Sequence, residues 1–230
     1  SDLSRAVAHQ KLGEIYRQVG RASEAARQLE QSILLAEHLA TVAPGDLAVK
    51  GCLSRSHVGL GEIHLHAERV DAALRHFHRV LELAEEIDAA GPGRPDARRG
   101  LLEAYVRLGR AHGFHGDFDE ARVWFLKSLN LAARWHRDEP GDAEASALLA
   151  WSYRKLADMS KLSGDLDAAR YGYDMAITIG RESLKARPSD LGAKTHLATA
   201  LDDLAGILRA RRDPIGAGSL YAEAETMFAA

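Results

Sequence analysis

The sequence predicts an all-α chain, a right-handed α-solenoid of about five antiparallel helix pairs. Three observations carry that expectation. Leu12, Leu60, Leu108, Leu156 and Leu204 follow one another at intervals of 48 residues, as do Ala25, Ala73, Ala121, Ala169 and Ala217. The same period orders Pro44, Pro92, Pro140 and Pro188, and the larger side chains Leu29, Phe77, Phe125, Tyr173 and Tyr221. Registers that hold one period without an insertion mean one structural unit, copied and stacked. Composition is the third observation. Ala, Leu, Arg and Glu dominate, β-branched residues are few, Asn130 is the one asparagine, and strand-like alternation is hard to find.

Each copy reads as two helices. In the first, Leu3, Val7, Leu12, Ile15 and Val19 form a helical stripe. Gly20 ends it, as the residue best able to take the left-handed conformation after a helix. Ser23 is the expected cap of the second helix. Pro44 and Gly45 stop that helix and Asp46 starts the next. Later copies repeat the scheme: Asp71 as cap and Pro92 as stop, then Gly116, Asp119 and Pro140, then Gly164, Asp167 and Pro188. The fifth departs from it. Arg212 replaces the turn glycine, Pro214 enters near the helix start, Ile215 stands at the cap position, and the second helix is expected to stop short at Met227 to Ala230. Such a shortened last copy is the usual form of a terminal cap. The copies fall at about 1–45, 46–93, 94–141, 142–189 and 190–230, one solenoid over residues 1–230. Residue 1 falls five positions beyond where a preceding ladder proline would stand. The chain therefore reads as a fragment of a longer protein, with an uncapped N-terminal end.

The bulk numbers exclude several classes of function. Thirty basic residues against 33 acidic ones leave a net charge of −3, which does not suit broad binding to nucleic acid. Cys52 is alone, so no intrachain disulfide forms and a reducing compartment fits. No apolar run approaches the length of a membrane span, and the first residues lack a signal pattern. A cytoplasmic chain with no membrane partner is the expectation.

The residues also carry a family resemblance. Leu12-Gly13 is followed by Tyr16, Leu60-Gly61 by His64, and Leu108-Gly109 by His112. The turn glycine, the ladder alanine, a large side chain four residues later and a proline stop follow in order. This pattern resembles the tetratricopeptide repeat over nearly the whole chain. The family unit is 34 residues, about 14 fewer than here. Seven extra residues lie on each side of the proline, so each helix has gained one heptad, which almost restores the angular phase. Ile33, Leu35 and Leu39 extend the apolar face in the first copy, as do Leu129, Leu131 and Trp135 in the third. The long units are similar to arrays C-terminal to bacterial serine/threonine protein kinases.

Catalytic chemistry is not expected. No nucleophile elbow, phosphate loop or H-E-x-x-H is present. Eleven histidines include His64 with His66 and His76 with His78, but residues two apart on a helix point to different faces. His9, His57, His64 and His112 occupy ring positions between helices, so packing explains them better than a metal. No metal and no cofactor is expected. Cys52 reads as a buried inert thiol.

The resemblance implies that the first helix of each pair lines a concave surface that holds partners. By register, that stripe is Val7, Gln10, Glu14 and Arg17, then Arg55, Val58, Glu62, Leu65 and His66. Glu103, Val106, Arg110, Gly113 and Phe114 follow, then Trp151, Arg154, Asp158 and Lys161, then Thr199, Asp202, Gly206 and Arg209. Two readings stand side by side. Glu62, Arg110 and Asp158 share one register and can neutralise each other for small gains. Alternatively Phe114 and Trp151 beside Arg110, Arg154 and Lys161, with Glu62, His66 and Arg17, form a partner surface, since rings beside arginine are typical of binding hot spots. The asparagines with which chaperone-binding members hold a terminal carboxylate are missing. The implied function is a non-catalytic protein–protein interaction scaffold. The alternatives are a regulatory or sensor array of a larger bacterial signalling protein, such as a serine/threonine kinase, and self-association through the uncapped N-terminal end.

Overall fold

A computed structural model describes residues 1–227, and every regular element among them is an α-helix. In chain order these are α1 (Asp2–Gln18), α2 (Ala22–Val42), α3 (Leu47–His66), α4 (Val70–Ala90), α5 (Pro95–His115), α6 (Phe118–Asp138), α7 (Ala143–Leu162), α8 (Leu166–Ala186), α9 (Leu191–Ala210) and α10 (Pro214–Thr226). The expected truncation of the last helix concerns Met227 to Ala230; of these, 228–230 lie outside the described residues. The chain forms two compact units, Ser1–Asp117 and Phe118–Ala230.

Local sequence explains where the helices stop and start. α2, α4, α6 and α8 each end two residues ahead of a ladder proline, whose ring excludes helical backbone from the residue before it. The tight turn inside each pair is built on one left-handed residue: Gly20 (φ 77), Glu68 (φ 57), Gly116 (φ 91), Gly164 (φ 83) and Arg212 (φ 61). The chain reverses there, so the next helix begins sooner than composition suggests. Arg21 stands at the N-cap of α2 and Arg69 at that of α4, each without a side-chain capping bond to the helix backbone. Asp165 caps α8 and Asp213 caps α10. The expected caps Ser23, Asp71 and Asp167, and the cap position assigned to Ile215, therefore fall inside the first turn. Asp119 is likewise in the first turn of α6. Acidic groups there still favour the positive helix end. Asp46 does cap α3, accepting from the N–H of Ala48 at 2.8 Å.

In the first compact unit α1 packs on α2, α3 on α4, and α1 also borders α3. The ladder residues set the closeness of these contacts. A Cβ on Gly61 would collide with the Phe77 ring, and one on Gly13 would meet Leu29 at 2.7 Å. Ala25, Leu29, Leu60 and Ile63 form one apolar cluster. A second holds Ala6, Ala36, Val49, Cys52, Leu53 and Leu83, with Ile33, Leu35 and Leu39 of the lengthened α2 against it. Ser56 donates to Ser32 at 2.9 Å within this core, so the buried hydroxyls are paired.

The second compact unit repeats the arrangement: α7 packs on α8, α9 on α10, and α7 borders α9. Phe125, Trp135 and Tyr173 are its fully buried rings. Ser128 and Ser152 share a hydrogen bond at 2.9 Å, the counterpart of the Ser32–Ser56 pair. Among the described residues, no helix is long and apolar enough to cross a membrane.

Candidate functional site

The stripe residues of the first compact unit lie on α1, α3 and α5, and most of their charges are joined to each other. Glu62 is 6% exposed. Its Oε1 accepts from Arg110 at 3.1 Å and also from Arg107. Arg107 reaches Glu103 as well, at 2.6 Å. Arg17 grips Glu14 through two donors, at 2.5 and 3.0 Å. That hydrogen bond holds the Glu14 carboxyl below its ordinary range, and it raises the Arg17 guanidinium. Three carboxylates and three guanidiniums thus form a neutral row, with Glu62 at its buried centre. Arg107 was not legible as part of this set. It sits one turn before Arg110, and the i−3 spacing was the signal that marked it.

Besides the paired Glu103 and Arg110, three stripe residues are exposed in this unit: Arg55, His66 and Phe114. Phe114 is 57% exposed on the last turn of α5, four residues beyond Arg110. His66 is exposed at the end of α3.

In the second compact unit, Trp151, Arg154, Asp158 and Lys161 line one face of α7. Arg154 donates to Asp203 of α9 at 3.3 Å, while its Nε is buried without a partner. Asp158 accepts from Lys155 at 2.6 Å and from the Tyr173 hydroxyl at 2.8 Å. Burial, and then Asp158, push the Tyr173 hydroxyl and the Asp203 carboxyl upward. Trp151 is not a free ring. It is half-buried and meets Phe125 edge-on, with centroids 5.9 Å apart. Lys161 is exposed.

Five of the eleven histidines lie on α3 and α4. His57 Nδ1 lies 2.9 Å from His76 Nδ1, and the His64 ring stacks on His76 at 5.3 Å. In the first pair the same register holds His9 Nδ1 against Gln28 Oε1 at 2.7 Å. Burial pushes His57 down to about 4, helped by His76. Burial does the same to His76, with His64 and Arg75 adding to it. These rings bridge the two helices of a pair as packing groups. Among the described residues, no three His, Cys, Asp or Glu side chains are placed to hold a metal ion.

A family model for the tetratricopeptide repeat matches residues 53–134. That stretch is a tetratricopeptide-repeat segment. The rest of the chain continues its helix pattern, and solved structures carry the same fold over nearly the full length. BtubC (BKLC) from P. vanneervenii is similar at 16% identity, over 99% of this chain and 90% of that one, with a TM-score of 0.59. The apo form of RapI is similar at 10% identity over 99% of this chain, with a TM-score of 0.72. The chain spans about half of RapI, 54% of its length. A Podosopora anserina protein with nearly identical TPR-like repeats is similar at 17% identity, over 98% and 95% of the two chains, with a TM-score of 0.57. Identities this low speak for a tetratricopeptide-type helical fold alone. No curated protein sequence matches the chain.

Proposed function

We propose that this tetratricopeptide array is a non-catalytic, cytoplasmic protein–protein interaction scaffold that holds a peptide segment on the first-helix faces of its pairs. The observation that supports this most is Phe114: a large ring 57% exposed on α5, one turn from the half-exposed Arg110. Arginine and aromatic groups side by side concentrate binding energy. The proposed contacts are Phe114, Arg110, Glu62, His66 and Arg17 in the first compact unit, and Trp151, Arg154 and Lys161 in the second.

Arg154 and Trp151 also hold structural contacts, so the exposed residues are the cleaner probes. The immobilised chain is panned against a random peptide library, and affinities are measured for Phe114→Ala and Lys161→Glu. Each variant is expected to bind the enriched peptides about tenfold more weakly, with an unchanged denaturation midpoint. A library that yields no saturable binder, or full affinity in both variants, sinks the proposal.

The second reading, a regulatory array inside a larger signalling protein such as a serine/threonine kinase, draws support from RapI. There the matching region is 54% of the chain, so an array of this fold occurs as part of a longer protein. The sequence of the complete gene tests it, since an adjoining catalytic domain is required. Self-association through the N-terminal pair is the third reading, and light scattering over a concentration series decides it.

A further inference from the structure

In the second compact unit a cavity of about 350 Å³ opens between α7, α8 and α9. Its walls are mostly small and apolar, with Ala147 among them, and Trp151, Arg154, Arg187, His136 and His196 supply the larger groups. Pockets that take small molecules run from about 300 to 1,000 Å³. This one suits a single ring or a short chain.

Arg154 defines the polar end. A guanidinium has five N–H donors in a fixed fork. Arg154 spends one Nη on Asp203 at 3.3 Å, and its Nε is buried with no partner. The second Nη makes no hydrogen bond among the described residues, which leaves a charged donor for a carboxylate. Arg187 is the second cation of the lining, its Nη2 donating to the Gly141 carbonyl at 2.7 Å, while burial and then Arg154 keep the His196 imidazole below the ordinary range. Glu182 and Asp190 also border the cavity, and Asp190 is engaged in capping α9. With Asp203 bound to Arg154, Arg187 stands against Glu182 and Asp190, so the lining holds no excess of cations for a doubly charged group.

We propose that this cavity binds a small monocarboxylate with an apolar body, its carboxylate on the unpaired Nη of Arg154 and its body against Trp151 and the alanine-lined wall. Phosphate monoesters, which carry close to two negative charges near neutral pH, are disfavoured there. The proposal goes beyond peptide capture. It shares Trp151 and Arg154 with that surface but does not depend on it.

Calorimetric titration of the full chain with 3-phenylpropanoate tests the idea, with 3-phenylpropanamide as the neutral isostere and a terminally blocked hexapeptide with a central glutamate as the peptide arm. The acid is expected to bind saturably, and the amide at least about tenfold more weakly, since charge-assisted pairing is lost. Arg154→Gln is expected to abolish binding. That change leaves Asp203 without its partner and can disturb the fold. Ala147→Leu therefore fills the cavity while keeping the Arg154–Asp203 pair, and is expected to weaken the acid at least about tenfold at an unchanged denaturation midpoint. Absence of saturable binding up to about 10 mM, equal binding of acid and amide, or undiminished binding by Ala147→Leu overturns the proposal. Should the hexapeptide bind and the free acid fail to, the small-molecule cavity falls and the peptide surface stands.

Discussion

Arg110 of α5 donates to Glu62 of α3 at 3.1 Å, across the 48 positions that form the repeat itself. Arg107 donates to the same oxygen from one turn earlier. The two arginines differ in burial: the Arg107 side chain is 18% exposed and that of Arg110 is 43%. Removing one partner of a buried pair costs about 3 kcal/mol, whereas an exposed pair is worth about 1 kcal/mol or less. Arg107→Ala is therefore expected to lower stability by about 3 kcal/mol in urea denaturation, and Arg110→Ala by less than about 1 kcal/mol. Equal losses would show that burial does not rank the two contacts.

The left-handed turn residue is glycine in three pairs but Glu68 and Arg212 in the other two. A side chain in that conformation is strained by about 1–2 kcal/mol, and part of the gain from glycine is returned as unfolded-state entropy. Glu68→Gly and Arg212→Gly are each expected to raise stability by about 0.5–1 kcal/mol. A lowered denaturation midpoint in both would contradict the turn geometry.

Arg69 occupies an N-cap where two other pairs use aspartate. Arg69→Asp supplies the missing acceptor and is expected to add about 1 kcal/mol, read as a rise in Tm. The same change at a mid-helix surface position serves as the control and should add nothing.

Gly61 and Gly13 share a register, but their neighbours differ. The rigid Phe77 ring overlaps the place of a Gly61 Cβ, whereas a Gly13 Cβ would meet Leu29 at 2.7 Å and the Ala25 carbonyl oxygen at 3.2 Å. Overpacking costs about 1–3 kcal/mol, and Gly61→Ala is expected near the top of that range with Gly13→Ala near the bottom. Calorimetric unfolding of both variants gives the comparison; the reverse order would reject it.

The His57–His76 pair ties stability to pH. Unfolded imidazoles titrate near 6.5, while burial lowers both folded rings to about 4. Between those values the unfolded chain binds protons that the native chain does not, so stability is complete above about pH 6.5 and falls as the pH drops toward 4. The groups that act on the pair are His64, Arg75, Arg79 and Glu82. His76→Gln, which copies Gln28 of the first pair, is expected to make the acid limb shallower. Urea midpoints at pH 7.5 and 5 check this, and a wild-type midpoint that does not move would exclude a buried pair.

The sequence by itself determined the helical class, the period, and the stops of α2, α4, α6 and α8. These properties depend on chemical neighbours a few positions away: a proline ring denies the preceding residue helical backbone, and an apolar group every third or fourth position chooses a face. The caps were misplaced because a left-handed residue reverses the chain within one step, as Glu68 does before Arg69, and nothing in its side chain announces that. Only the tertiary structure decided that Arg107 and Arg110 converge on Glu62, that Trp151 rests on Phe125, and that alanines from α7 and its neighbours leave a void beside Arg154. Those outcomes depend on how far apart helices lie and on which volumes meet between them, and side chains distant in the sequence set both.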